Sequence, residues 1–270
     1  MHAGQDHQAP GRYGERLYSG AATDELTRLE ALAAAFDPAT RRWLGDLGVG
    51  PGWRCLDVGA GPGTVSRWLA GQVGDDGEVV ALDRDPRFLE RISHPRLRVV
   101  RADLTHEEPP PGGYDLVHAR FLLMHLRERE ELLDRLVSYL RPGGWLLVSD
   151  AADLGSPSSP NPAFRRTMAA HWQALTAVIG SDGEYGRQYP AALARRGLES
   201  LGMAAELPVV AADSPLGVFW GLTLRKIRPG MAEHTDVPEQ TVDQALAYLA
   251  APGTRDLSMA LIAGWGRRPR

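Results

Sequence analysis

The chain has 270 residues, 43% of them hydrophobic, a formal net charge of −4 and a single cysteine, Cys55. That length and apolar fraction support one large α/β unit and exclude global disorder. The charge balance gives no general attraction to nucleic acid, one cysteine excludes an internal disulfide and a cysteine-based zinc site, and no apolar run approaches the ~20 residues of a membrane span.

Residues 1–20 are polar and glycine-rich and lack a signal-peptide apolar region. They are expected to form a mobile arm, one that could exchange between subunits of a homo-oligomer, on a soluble cytoplasmic protein. Leu26, Leu29, Leu32, Ala33 and Phe36 recur at helical spacing, so a helix is expected over Thr23–Phe36. A second is expected over Asp37–Gly48, with Asp37 as its cap and Pro38 in its first turn.

From residue 53 short apolar runs alternate with helical stretches. WRCLDV precedes TVSRWLAGQVG, and EVVALD precedes PRFLERI; LRVVRAD and YDLVHA follow, then REREELLDRLVSYL and GWLLVSD. This order predicts a doubly wound, parallel α/β sheet whose strands are buried on both faces. After Asp150 the alternation stops. A helix is expected over Pro162–Ile179, another from Pro190 through AALARRGLESLG, and a strand near AAELPVVAA. Asp236 and Glu239 sit as a capping box for the helix PEQTVDQALAYLA, and DLSMALIAGWG reads as the last strand.

The stretch CLDVGAGPG, Cys55–Gly63, carries the chemistry. Its apolar run reads as a strand ending in Asp57, and Gly59, Gly61 and Gly63 then bare the backbone at the turn into a helix. Ligands of open parallel sheets bind at this end of the strands. The second and third strands also end in acids, Asp83 and Asp103, and an acid about twenty residues past such a loop can accept from both hydroxyls of a ribose. A nicotinamide dinucleotide loop has its third small residue where this chain has Thr64; Gly63 comes one place early.

The pattern Asp-x-Gly-x-Gly-x-Gly resembles the first motif of the class I S-adenosylmethionine-dependent methyltransferases. ALDRDP resembles their second motif, RADL and YDLVHARFLLMHL the third and fourth, and LRPGGWLLVSD the region of strand five. The match spans about residues 50–150, and the flanking segments look like the small-molecule, natural-product subgroup. The resemblance implies a Rossmann-like, mostly parallel seven-stranded sheet with an antiparallel last strand and helical lid insertions. It implies a single unit over 21–270, with a cofactor-binding core at about 50–150 and lid elements at about 21–48, 151–200 and 213–250. S-adenosylmethionine would be the cofactor, with S-adenosylhomocysteine as product. Asp57, Gly59, Ala60, Gly61 and Gly63 would surround its methionine end. Asp83 would hold the ribose, Arg84 would pack on the adenine, Asp103 and Leu104 would meet the adenine amino edge, and His118 would lie under the methionine arm.

Methyl transfer is an in-line displacement at a sulfonium whose leaving thioether is neutral. A base is needed only if the acceptor must lose a proton; candidates are His118, His125, His171, Tyr185 and Tyr189. Tyr13 and Tyr18 of the arm, Arg120 and Trp172 are candidate contacts to a small aromatic or polycyclic acceptor, with oxygen favoured over carbon or nitrogen as the methylated atom. For Arg120 a structural ion pair competes with this role. Catechol-type methyltransferases hold a metal with an Asp-Asn pair after strand five; here Asp150, Ala151, Ala152 and Asp153 follow without Asn, so no metal is expected. Few basic clusters argue against a nucleic-acid acceptor. The rival readings are an NAD(P)-dependent oxidoreductase on the same sheet and a non-catalytic, cofactor-binding regulatory module.

Overall fold

A computed structural model describes residues 22–270; the expected arm, with Tyr13 and Tyr18, lies outside the described residues. The apolar runs form strands β1 (Arg54–Val58), β2 (Glu78–Asp83), β3 (Leu97–Arg101), β4 (Tyr114–Arg120) and β5 (Leu140–Asp153). Further along lie β6 (Glu199–Glu206), a short pair β7 (Val209–Val210) and β8 (Asp256–Leu257), and β9 (Met259–Arg267). Seven strands join in the order β3-β2-β1-β4-β5-β9-β6. β1 to β5 pair in parallel, and β9 runs antiparallel to both β5 and β6. The sheet is thus mostly parallel and doubly wound, with its switch of direction between β1 and β4.

Successive strand residues face opposite sides, which splits the interior in two. Cys55, Leu116 and Leu147 face a core built with helices α1 (Ala22–Asp46), α2 (Thr64–Gln72), α4 (Pro162–Ile179), α6 (Pro215–His234) and α7 (Glu239–Ala250). Leu56, Val117 and Leu146 face a second core with α3 (Arg129–Ser138) and α5 (Tyr189–Arg195). Cys55 is fully buried, and burial pushes its thiol well above the ordinary range. Helices α1, α4, α6 and α7 pack on one another as a cap over one face.

Four segments differ from the sequence reading. The two helices expected before residue 48 are one, running through Pro38. A proline inside a helix costs about 3 kcal/mol, but Phe36, Ala39, Trp43 and Leu44 on either side of it are all buried and hold the segment in line. Asp37 is therefore no cap; its carboxylate accepts from Arg41, Arg120 and Thr64. PRFLERI forms only a single turn of 3-10 helix, Leu89–Arg91. α5 stops at Arg195 because Gly197, with φ +72°, turns the chain, and LESLG becomes part of edge strand β6. α7 starts at Glu239 with Pro238 before it and no side-chain cap, so the Asp236 box does not form.

Helix α6 has no counterpart in the sequence reading, although its signals were present. Ser214 caps it by accepting from the Gly217 amide, and Leu216, Phe219, Trp220, Leu224, Ile227 and Met231 form its buried stripe. Pro229 and Gly230 interrupt the pattern and mask it.

Candidate functional site

The register of β1 on β4 sets Asp57 beside His118. Asp57 Oδ1 lies 2.7 Å from His118 Nδ1, and both side chains are almost wholly buried. The other carboxylate oxygen accepts from the Ser66 hydroxyl, one turn into α2. A carboxylate only accepts, so a neutral His118 carries its proton on Nδ1 and leaves a lone pair on Nε2. Nε2 is buried and has no partner among the described residues. Both residues border a cavity of about 1000 Å³ at the carboxyl ends of the strands.

The glycine loop forms one wall. Gly59 and Gly63 have φ of +66° and +73°, a region that side chains disfavour. A Cβ on Gly63 would lie 2.4 Å from Ile92 Cδ1 and 2.7 Å from Leu89 Cδ2, so a side chain here would have to displace both ends as well as hold a left-handed backbone. Gly59 faces Leu122, whose Cδ1 is 3.2 Å from where a Cβ would stand. Asp83, at the tip of β2, clamps the loop: its two oxygens accept from the amides of Gly61 at 2.8 Å and Asp85 at 2.9 Å. Burial raises its carboxyl above the usual range, and these two amides act against that shift. Each oxygen keeps a lone pair for a ligand donor.

Beyond the tip of β3, Asp103 accepts from the amide and hydroxyl of Thr105, and Arg135 donates to the Leu104 carbonyl. Asp103, Leu104, Arg84 and Phe88 all border the cavity. At the opposite end its walls are Leu29, Leu32 and Ala33 of α1, Phe121 and Leu122 after β4, and Ile179. This explains why part of the apolar stripe on α1 is only half-buried. Three charged or polar groups stand among them. Glu25 accepts from Arg28 (2.6 and 3.0 Å) and Lys226 (2.6 Å), and these cations hold its carboxyl below the usual range despite burial. Arg120 donates to Asp37 at 2.7 Å and Thr40 at 2.9 Å. His125 Nδ1 lies 2.8 Å from Ser181 Oγ, and burial lowers its pKa to about 3, so the ring is neutral.

The structure thus gathers Asp57, Gly59, Ala60, Gly61, Asp83, Arg84, Asp103, Leu104, His118, Arg120 and His125 around one cavity, with Gly63 shaping the loop behind it. The other candidates stand apart from its wall. Tyr189 is fully buried and donates to Asp150. Tyr185 donates to Glu130 at 2.9 Å. His171 packs edge-on between Trp172 and Trp220, and Trp172 donates to Asp153 at 3.0 Å. The sequence reading passed over Ser66, Glu25, Phe121 and Leu122. Only Phe121 leaves a trace that geometry makes plain: its φ of +54° is strained for a side chain by roughly 1–3 kcal/mol, as at many ligand clamps. No group of three or more possible metal ligands occurs among the described residues, and no described helix is long and apolar enough to cross a membrane.

A doubly wound sheet with a glycine loop at its switch point and acids at three strand tips defines a protein that binds a nucleoside-bearing ligand. The model of the methyltransferase-domain family matches residues 13–194, and the chain belongs to that family. It is 33% identical over 127 residues to Methyltransferase str3 of Strobilurus tenacellus, covering 47% of this chain and 45% of that protein. It is 31% identical over 162 residues to the ubiquinone/menaquinone biosynthesis C-methyltransferase UbiE of Ectopseudomonas mendocina, covering 56% and 62%. The chain therefore spans only about half of these relatives' length. The fold matches a solved structure of phosphoethanolamine N-methyltransferase 2 of Haemonchus contortus in complex with S-adenosyl-L-methionine, with a TM-score of 0.55 at 16% identity, over 94% of this chain and 58% of that one.

Proposed function

We propose that the chain transfers a methyl group from S-adenosylmethionine to a small, largely apolar molecule, at oxygen in preference to carbon or nitrogen. The observation that carries this reading is the row of strand-tip acids around one cavity. Asp57, Asp83 and Asp103 stand at or just past the ends of adjacent strands, with a glycine loop between the first two.

The residues present fit the cofactor. Asp83 keeps a lone pair on each oxygen for the two ribose hydroxyls. His118 Nε2, a buried acceptor with no partner among the described residues, suits a donor such as the methionine ammonium. Asp57 orients His118 and Ser66, and each of its oxygens, like those of Asp83, keeps a lone pair for a ligand donor at the cavity it borders. Asp103 and Leu104 suit the adenine edge, and Arg84 and Phe88 its faces. When bound, the cofactor supplies an electrophilic methyl on a sulfonium.

The chain's own share is alignment and exclusion of water. Holding two reactants in line is worth roughly 7–11 kcal/mol. The far wall is apolar, and its charges are matched: Glu25 by Arg28 and Lys226, Arg120 by Asp37. Such a wall favours an uncharged, apolar acceptor over an ionic one. His125, kept neutral by burial, suits a hydrogen bond from an acceptor hydroxyl but is too weak a base to keep its proton at neutral pH.

Calorimetric titration with S-adenosylhomocysteine, NAD and NADP tests the reading. Micromolar binding of the nucleoside and none of the dinucleotides is expected. Binding of a dinucleotide instead would overturn it.

A further inference from the structure

Asp150 and Tyr189 form a buried pair that lies behind the cavity and does not border it. Asp150, near the end of β5, has no exposed surface. Its Oδ2 accepts from the Tyr189 hydroxyl and, at 3.1 Å, from the amide of Met124, and the Leu122 amide also bears on the carboxyl. Two glycines make room for this arrangement. A Cβ on Gly264 would lie 2.5 Å from Tyr189 Cβ, and one on Gly186 would lie 3.1 Å from Ile262 and 3.4 Å from the Asp150 carbonyl.

The segment this pair holds, Phe121–Leu126, lines the cavity. It contributes Phe121, Leu122, His125 and Leu126 to the wall. It begins with the left-handed Phe121, whose amide donates to the Ser149 carbonyl at 2.8 Å. It sets Leu122 against Gly59 of the glycine loop. Its far end is tied by the Asp182 amide, which donates to the Met124 carbonyl at 2.8 Å, and by His125 on Ser181. A strained turn keeps its shape only if the surroundings over-determine it.

We infer that Asp150 and Tyr189 are positioning residues: by holding the backbone at Met124 they fix the Phe121–Leu126 turn across the cavity and so keep Leu122 and His125 in register with the glycine loop. The Tyr189 hydroxyl donates to Asp150 Oδ2 and fixes the direction of the carboxyl. The same oxygen then accepts from the Met124 amide of the turn. Burial raises the Asp150 carboxyl to about 7, while Tyr189, the Met124 and Leu122 amides and the charge of Arg129 act against that rise.

Hydrogen exchange on the ligand-free protein tests this directly. Tyr189→Phe keeps the ring in its Gly264 notch and removes only the hydroxyl. Exchange in the peptide spanning residues 121–126 should then quicken by about tenfold, as expected for losing one buried hydrogen bond. Tyr248→Phe is the matched control, because its hydroxyl donates to Asp256 at 3.0 Å, away from the cavity. It should leave exchange in that peptide within about twofold.

A second readout rests on the methyltransferase reading. Affinity for S-adenosylhomocysteine should fall about three- to tenfold in Tyr189→Phe and stay unchanged in Tyr248→Phe. Failure of the wild type to bind the nucleoside would sink the functional reading and leave the exchange test standing. Equal exchange in both tyrosine variants would sink the positioning role. Should Tyr189→Phe not fold, Asp150→Ala, which removes the acceptor of the Met124 amide, must give the same local quickening, and its absence is equally decisive.

Discussion

The strand tips and the helical cap meet at the same cavity, yet they are built on different logic. At the tips each acid is fixed by a neighbour close in the chain or in the next strand. Asp83 holds Gly61 and Asp85, Asp103 holds Thr105, and Asp57 holds Ser66 and His118. In the cap the contacts cross long stretches: Glu25 meets Lys226, Arg28 meets Thr223 and Arg120 meets Asp37. Short-range fixation leaves oxygens and amides free to face a ligand. Long-range pairing uses up its charges to hold helices together and leaves an apolar wall.

If that contrast is right, damage to the cap is read in stability and damage to the tips in ligand affinity. Glu25→Ala should have the largest effect, since it removes the buried carboxylate that Arg28 and Lys226 share. Breaking such a buried cluster costs about 3–5 kcal/mol, measurable by urea unfolding. A loss below about 1 kcal/mol would mean that α1 is held by packing alone.

Asp83→Ala comes next. It should weaken S-adenosylhomocysteine binding about ten- to a hundredfold, because charge-assisted bonds to the ribose and the clamp on Gly61 go together. Unfolding should show a smaller loss than for Glu25→Ala. Unchanged calorimetric affinity would remove the ribose assignment.

The last effect is a slope. The Asp150 carboxyl sits at about 7 in the fold, above its unfolded value of about 3.9. The stability it contributes is present below pH 4 and is lost as pH rises to about 7. Asp150→Asn has no such loss. The stability gap between variant and wild type should therefore shift in the variant's favour between pH 4 and pH 8. His125 and His171, both lowered to about 3 by burial, act with the opposite sign in both proteins and cancel in the difference. A gap that does not move with pH would show that Asp150 is not the titrating group.

The same contrast explains what could be read from sequence. A glycine loop, three strand-ending acids and the β-α alternation are local patterns, so the sheet and the cofactor side of the cavity were visible residue by residue. The antiparallel β9 came only through the family resemblance. On the cap side the sequence offered isolated His, Tyr and Trp residues with no spacing to link them. Tyr185, Tyr189, His171 and Trp172 were drawn in for their chemistry, but burial and partners place them behind the wall. Glu25 and Phe121 were missed because their importance lies in a partner two hundred residues away and in a backbone angle. Helix α6 was hidden by Pro229 and Gly230, whose local cost is outweighed by a stripe of buried aromatic and aliphatic side chains.

Cys55 lies in an inner strand of the sheet, between the partner residues Val79 and Leu116, and its thiol is sealed and hard to ionise. Alkylating reagents attack the thiolate, so the native fold is silent to them. With no second thiol in the chain to add background, the rate at which Cys55 is modified becomes a clock for the opening of the molecule's middle. That clock needs no ligand and no known acceptor, and it runs at the pace of the rarest motion the protein makes.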